Sequence, residues 1–257
     1  MPLLEGKVAI IVGGAGQLGR ASSLLFAREG AKVMVADMRG PDAKKVADEV
    51  RVQGGDAESF EIDVSDPEQA KRMADATIKR FGTIDILVYT PYYPHGSDLI
   101  EDITPALWKH AVDIDLNGAV YCYQAVAKTL KQKRSGRIIN ISAGAQFGAP
   151  KMAAYSSAKA ALIVFTKCIA AEAGPYGITA NCIIPGSFGP KERFGKAVLD
   201  FVRRRYPLGR LGTPDELANG VLFLASPMAD YISAAALPID GGFTGVLRAY
   251  NFGEEPQ

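Results

Sequence analysis

The fold class this sequence predicts is α/β, a single doubly wound domain with a central parallel sheet flanked by helices. Three observations predict it. Short β-rich apolar runs alternate with longer helical patterns along the whole chain. Several runs are apolar at consecutive positions, which a strand needs when helices cover both faces of its sheet. A glycine-rich turn joins the first run to the first helical pattern. In order, the runs are residues 8–12, 33–36, 86–88, 137–141 and 178–184. After the first, Leu18, Ala21, Ser22, Leu25 and Phe26 fall on one helical face, and Gly30 follows as a stop. Ser65-Asp66-Pro67-Glu68 and Thr104-Pro105 read as helix starts. So does Thr213-Pro214-Asp215-Glu216, with a capping residue, a proline at the first helical position and the acid of a capping box. Tyr155 opens a long helical pattern running to about residue 173. No repeat or Pro/Gly-rich linker divides the chain, so residues 1–257 are expected to form one domain.

Composition removes several functions. Of 257 residues, 48% are hydrophobic and 22% charged, enough for a large buried core. Twenty-nine basic side chains against 28 acidic ones leave a net charge of +1, so no long-range field gathers nucleic acid or an anionic membrane. Arg203-Arg204-Arg205 reads as solvated helix surface. No apolar run approaches the ~18 residues of a membrane span. The opening MPLLEGK carries an acid where a signal peptide needs a basic flank, and a cytoplasmic chain is expected. Cys122, Cys168 and Cys182 are far apart and His95 and His110 are the only histidines, so no metal site is expected.

The glycine turn reads Val12-Gly13-Gly14-Ala15-Gly16-Gln17-Leu18-Gly19. Glycines here turn the chain tightly, let backbone approach a pyrophosphate and pack helix against strand, with phosphates at the positive helix end. The second apolar run ends in Ala36-Asp37, where a carboxylate would accept hydrogen bonds from both ribose hydroxyls and repel a 2′-phosphate. That points to NAD(H). Asp37 read simply as a turn cap is the plainer alternative, and Arg39 close by would suit the phosphate of NADP(H).

Tyr155 and Lys159 are four apart, so phenol and ammonium share a helix face. A nearby cation favours phenolate and would move the tyrosine from its usual ~10 toward working pH. Such a tyrosine takes a proton from an alcohol, or returns one to a carbonyl, as hydride moves to or from a nicotinamide. Ser142, thirteen residues before it at a strand end, is the expected holder of the substrate oxygen.

Together these residues resemble the short-chain dehydrogenase/reductase family from Lys7 to about Thr244. The resemblance extends through Gly136-Arg137-Ile138-Ile139-Asn140-Ile141-Ser142, Asn181-Cys182-Ile183-Ile184-Pro185-Gly186, Pro207-Leu208-Gly209-Arg210-Leu211-Gly212 and Ile239-Asp240-Gly241-Gly242. It implies a Rossmann-type sheet, Tyr155 as acid/base, Lys159 also on the nicotinamide ribose, and Ser142 orienting substrate. It further implies Asp63 and Val64 beside the adenine, Pro185-Gly186 beside the nicotinamide, Ser187 near the carboxamide, and a homotetramer built on helices near 104–132 and 153–173. Gly13, Gly16, Gln17, Leu18 and Gly19 would face the pyrophosphate.

Four positions depart from the family pattern. Val12 stands for a threonine, removing a hydroxyl bridge to neighbouring backbone. Gln17 stands for the middle glycine, so either the backbone shifts or its amide makes its own contact. Tyr89-Thr90-Pro91-Tyr92 replaces Asn-Asn-Ala-Gly. Asp115 replaces the relay asparagine, keeping an acceptor while adding charge near Lys159 if both are buried.

The expected reaction is interconversion of a secondary alcohol and a ketone with NAD(H). Tyr92, Tyr93, His95, Phe147 and Phe188 would border an apolar, cyclic or aromatic substrate, with residues 187–206 as a mobile substrate segment and 243–257 as a tail. The alternatives are an NADPH-dependent carbonyl reductase, a nucleotide-binding relative without turnover, and a non-redox relative.

Overall fold

In a computed structural model of the chain, which describes residues 1–93 and 98–245, seven parallel strands form one sheet. They are β1 (Val8–Val12), β2 (Lys32–Asp37), β3 (Ala57–Glu61), β4 (Ile86–Tyr89), β5 (Gly136–Ile141), β6 (Ile178–Pro185) and β7 (Ala236–Ile239). The helices are α1 (Gln17–Arg28), α2 (Gly40–Val52), α3 (Pro67–Phe81), α4 (Pro105–Val112), α5 (Gly118–Lys133), α6 (Ala153–Ala173), α7 (Lys196–Arg205) and α8 (Pro214–Ala225). The strand order β3-β2-β1-β4-β5-β6-β7 reverses between β1 and β4, so a crevice opens where their carboxyl ends diverge.

The consecutive apolar runs behave as predicted. β1 is buried at every position, and alternate side chains feed two cores. Ala9 and Ile11 join the layer under α1, α2 and α8, while Val8, Ile10 and Val12 join the layer under α3, α5 and α6. Thr213 and Glu216 complete the expected capping box, and Asp66 and Thr104 cap α3 and α4. Arg203, Arg204 and Arg205 form the exposed last turn of α7. β3 has no long apolar run because it is an edge strand with one buried residue.

Two segments differ from expectation. Residues 187–206 contain a 3₁₀ turn (Lys191–Arg193) and α7, so most of the expected mobile segment is regular structure. Between α4 and α5 lies a π-helical turn, Asp113–Asn117, which no periodicity announces. Helix α6 with its 3₁₀ extension is long and apolar enough to cross a membrane by length and composition. Its packing on β5, β6 and α4 gives that apolarity another use.

Candidate active site

The glycine loop is tied down by β2. Gly13 and Gly14 donate their N–H groups to Ala36 O at 2.8 and 2.9 Å, and Ala15 N donates to Asp37 Oδ2 at 3.0 Å. Gly13 has φ +78°, and a Cβ there would sit 2.3 Å from Thr90 Oγ1. A Cβ on Gly19 would lie 2.2 Å from Gly13 O, so strand and helix meet backbone to backbone. Gly16 caps α1 without a side-chain bond, and the first turn holds no acid. Unsatisfied N–H groups at the positive end of a twelve-residue helix, over the crevice, suit a pyrophosphate.

Gln17 needs no unusual backbone. It is the first residue of α1, and the left-handed conformation belongs to Gly13. Its side chain reaches to Gly189 in the segment after β6, where a Cβ would be 2.6 Å from Gln17 Oε1. The hydroxyl that Val12 lacks is supplied by the residue after β4. Thr90 Oγ1 donates toward Val12 O and Gly13 O, at 2.8 and 3.2 Å.

Asp37 is buried, and both of its oxygens are engaged. Oδ1 accepts from Arg39 N at 3.0 Å and Arg39 Nε at 3.2 Å, while Oδ2 holds Ala15. It is a loop anchor at the place expected of a ribose ligand. Asp63 is exposed and accepts from Ser65 N and Oγ, and Val64 packs against Gly118.

The proton side is built from three elements. Tyr155 and Lys159 lie on successive turns of α6, with Lys159 Nζ 5.8 Å from the Tyr155 ring centroid. Lys159 Nζ donates to Pro91 O at 2.8 Å and Ile141 O at 3.2 Å, and lies 3.3 Å from Asp115 Oδ1. Both side chains of this ion pair are buried, 2% and 0% exposed, unlike any other pair among the described residues. Tyr93 N donates to the same Asp115 oxygen at 3.2 Å.

The π turn aims Asp115 inward. Tyr89, fully buried at the end of β4, props that turn by donating its hydroxyl to Ile114 O at 2.5 Å. A Cβ on Gly118 would be 2.3 Å from the Tyr89 hydroxyl, so α5 must begin with glycine here. Tyr89, Pro91, Tyr93, Asp115 and Lys159 are therefore one interlocked unit. An extra residue per turn of this kind is frequent where helices carry functional side chains.

Two expectations are corrected here. The ammonium was expected to lower the Tyr155 pKa. Burial pushes it well above the usual phenol value instead, and the Asp115 carboxylate and Tyr92 push the same way. Burial also pulls the Lys159 ammonium below its ordinary value, against the opposing attraction of Asp115. Lys159 is thus half of a buried ion pair and not an isolated cation. The second correction is Ser142. It is 2% exposed and donates its hydroxyl to Lys159 O at 2.8 Å, clamping β5 to α6. Backbone alternation turns Ala143, which has no hydroxyl, the other way.

A cleft beside Tyr155 is lined by Asp98, Ile103, Leu107, Lys151, Met152, Ala153 and Ala154. Tyr92 and Phe147 stand exposed, and Tyr93 packs edge-on against His110 with centroids 4.7 Å apart. Phe188 is a correction: it packs onto the core under α1 and α8 and bridges to Gly212. His95 and the tail residues Leu247, Tyr250 and Phe252 lie outside the described residues.

Gly186 is required by packing, since a Cβ would meet Asp240 Cα at 2.8 Å and Tyr206 Cε1 at 2.9 Å. Ser187 N donates to the Tyr206 hydroxyl at 2.9 Å, which donates to Ser187 Oγ at 3.1 Å. Tyr206 in turn stacks on Phe243 at 4.7 Å. Phe243 also lies beside Gly144 and edge-on to Phe201, so an aromatic cluster joins the segments after β5, β6 and β7. Sequence reading missed Tyr206 and Phe243. The signal available for Phe243 was its place just beyond β7, where ligand crevices form, whereas Tyr206 directly follows α7 and carries no such local signal.

The family described as enoyl-(acyl carrier protein) reductase matches residues 13–244. The chain belongs to the short-chain dehydrogenase/reductase family. As a member of it, the chain is an oxidoreductase of a family that uses nicotinamide dinucleotides. It is 36% identical over 244 residues to 2,5-dichloro-2,5-cyclohexadiene-1,4-diol dehydrogenase of Sphingobium indicum, covering 94% of this chain and 97% of that one. It is 34% identical over 272 residues to cyclohexanol dehydrogenase of a Rhodococcus species, again covering 94% and 97%. Among solved structures, gox2181 superposes with a TM-score of 0.89 at 33% identity, over 94% of this chain and 96% of that chain.

Proposed function

We propose that this short-chain dehydrogenase/reductase interconverts a secondary alcohol and a ketone, using NAD(H), with Tyr155 as the acid/base group. One domain would hold cofactor and substrate together. The observation that carries the reading is the placement of Tyr155 and Lys159 on adjacent turns of α6, with Lys159 Nζ held by Pro91 O and Ile141 O at the carboxyl ends of β4 and β5.

The glycine loop and the uncapped start of α1 would hold the pyrophosphate, Asp37 the adenosine ribose, and the segment 185–187 the nicotinamide end. When bound, the nicotinamide supplies the hydride acceptor or donor. Everything else falls to the chain. Tyr155 accepts the proton of the alcohol oxygen, or gives one to the carbonyl oxygen in reverse. Lys159, held by Pro91 O, Ile141 O and Asp115, fixes the electrostatics around that hydroxyl. Ser142 keeps α6 in register with β5.

The substrate we propose is apolar and cyclic or aromatic. Exposed Tyr92 and Phe147 and the Phe201–Tyr206–Phe243 cluster support this, as do the ring-containing substrates named for the Sphingobium and Rhodococcus relatives. NAD(H) is favoured by the Asp37 carboxylate. Arg39, lying on that carboxylate with half its side chain exposed, favours NADP(H) as the second reading. Partly exposed Tyr121, Tyr123, Val164 and Phe165 on α5 and α6 support a homo-oligomer through these helices, a tetramer by family resemblance.

The test is a turnover screen over cyclic and aromatic secondary alcohols and ketones with both cofactors, followed at the nicotinamide absorbance. Turnover of such compounds with NAD(H) supports the reading. Tight NADH binding with no turnover across the panel would favour the nucleotide-binding alternative, and a clear NADPH preference would remove the ribose role of Asp37.

A further inference from the structure

Asp115 is the departure from the family pattern with the largest electrostatic consequence. Its carboxylate is fully buried, 3.3 Å from Lys159 Nζ. The Tyr89-propped π turn holds it there, and the Tyr93 N–H fixes one oxygen. The lysine's other contacts, Pro91 O and Ile141 O, are neutral carbonyls that stabilise the ammonium without cancelling its charge. Only the carboxylate cancels it.

We propose that Asp115 is the counter-ion of Lys159, so that a neutral pair faces Tyr155 and the resting acid/base group is a phenol built to give a proton to a carbonyl. This rests on the acid/base reading of Tyr155 above. In the reductive direction the carbonyl carbon gains a hydride, with its two electrons, from reduced nicotinamide. The carbonyl oxygen takes the Tyr155 hydroxyl proton, and the resulting phenolate recovers a proton from water.

Charged and titratable groups reach this spot from several neighbouring elements. α6 brings Lys159 and Tyr155, the π turn Asp115, and the strand-end segment Tyr92. Cys182 comes from β6, with its thiol pushed up to about 12, so it stays neutral and adds no charge near the lysine. Asp98 and Lys151 line the cleft with opposite charges. After burial, the Asp115 carboxylate is the leading charge acting on the phenol. Burial, the Asp115 carboxylate and Tyr92 all push the Tyr155 pKa upward, as a counter-ion role requires.

The experiment titrates Tyr155 directly. Protein carrying ¹³Cζ-labelled tyrosine is followed by NMR from pH 7 to 11 without cofactor, with the Tyr155 resonance assigned from Tyr155→Phe. Asp115→Asn and the charge-keeping Asp115→Glu are run beside the wild type, with circular dichroism confirming that each is folded. The expected result is a wild-type Tyr155 still neutral at pH ~10, where an ordinary tyrosine is half ionised. Asp115→Asn should lower its midpoint by at least about one pH unit, a roughly tenfold gain in phenolate at a given pH, while Asp115→Glu stays near wild type. Alcohol oxidation by Asp115→Asn should then rise at lower pH than in the wild type, with KM little changed.

An unchanged or higher midpoint in folded Asp115→Asn would overturn the proposal. So would an equal drop in folded Asp115→Glu. If Asp115→Asn does not fold, a fall of the Tyr155 midpoint in Asp115→Glu overturns it and an unmoved midpoint supports it. Because the titration needs no turnover, it separates failure of the counter-ion role from failure of the acid/base reading.

Discussion

The two walls of the crevice are built by different means. On the cofactor side, β1, the glycine loop, α1 and β2 are held by backbone. Gly13 and Gly14 bond to Ala36 O, and Gly19 fits only because it lacks a Cβ. On the proton side, β4, the π turn and α6 are held by side chains. The Tyr89 hydroxyl, the Asp115 carboxylate and the Lys159 ammonium each satisfy a group on another element. Backbone-built walls tolerate few substitutions and announce themselves as glycines. Side-chain-built walls can be rebuilt if the partners change together.

The comparison is broken most severely at Gly19. Gly19→Ala puts a methyl against Gly13 O, where neither backbone can yield cheaply, and should destabilise the protein by about 1–3 kcal/mol. Cofactor affinity should fall with it; thermal unfolding and NADH titration read both, and an unaffected variant would mean that the loop is not backbone-locked. Ser142→Ala is next. The hydroxyl bonds a helix carbonyl, so stability should drop by ~1 kcal/mol and turnover by well under the ~10²-fold expected of an oxyanion contact. A hundredfold loss in kcat with unchanged stability would return Ser142 to the substrate.

Thr90→Val tests the join between the walls. It removes the hydroxyl shared by Val12 O and Gly13 O and should cost about 1 kcal/mol in denaturant unfolding, with no change in kcat. The smallest effect belongs to Arg39→Ala. Its pair with Asp37 is half exposed, so stability should move by less than ~1 kcal/mol. The NADH-to-NADPH affinity ratio should rise only if Arg39 takes the 2′-phosphate, which competition binding with both cofactors measures.

The same division explains what could be read from sequence. β1, β2, β4, β5 and β6 were legible because each buries consecutive residues, and α8 because Thr213 and Glu216 spell a capping box. The glycine loop was legible because only glycine fits its conformation at Gly13 and its approach at Gly19. The proton side was half legible. Tyr155 and Lys159 share a helix face at a local spacing, but what they face is set by elements distant in the chain. Nothing near Tyr89 says that its hydroxyl props residue 114, or near Thr90 that it replaces a hydroxyl at position 12. Ser142 misled because spacing from Tyr155 fixes a position without fixing the side on which its hydroxyl lies. Phe188 misled likewise, since a loop aromatic next to a crevice can turn into the core.

The central claim is that Tyr155 moves the substrate proton. The direct measurement is turnover of the best alcohol found in the screen by wild type and Tyr155→Phe, with NADH affinity determined on the same samples by fluorescence. The account predicts a loss of turnover of roughly 10²–10⁴-fold with NADH affinity held within about threefold. Retained turnover in Tyr155→Phe, with cofactor still bound, would contradict it.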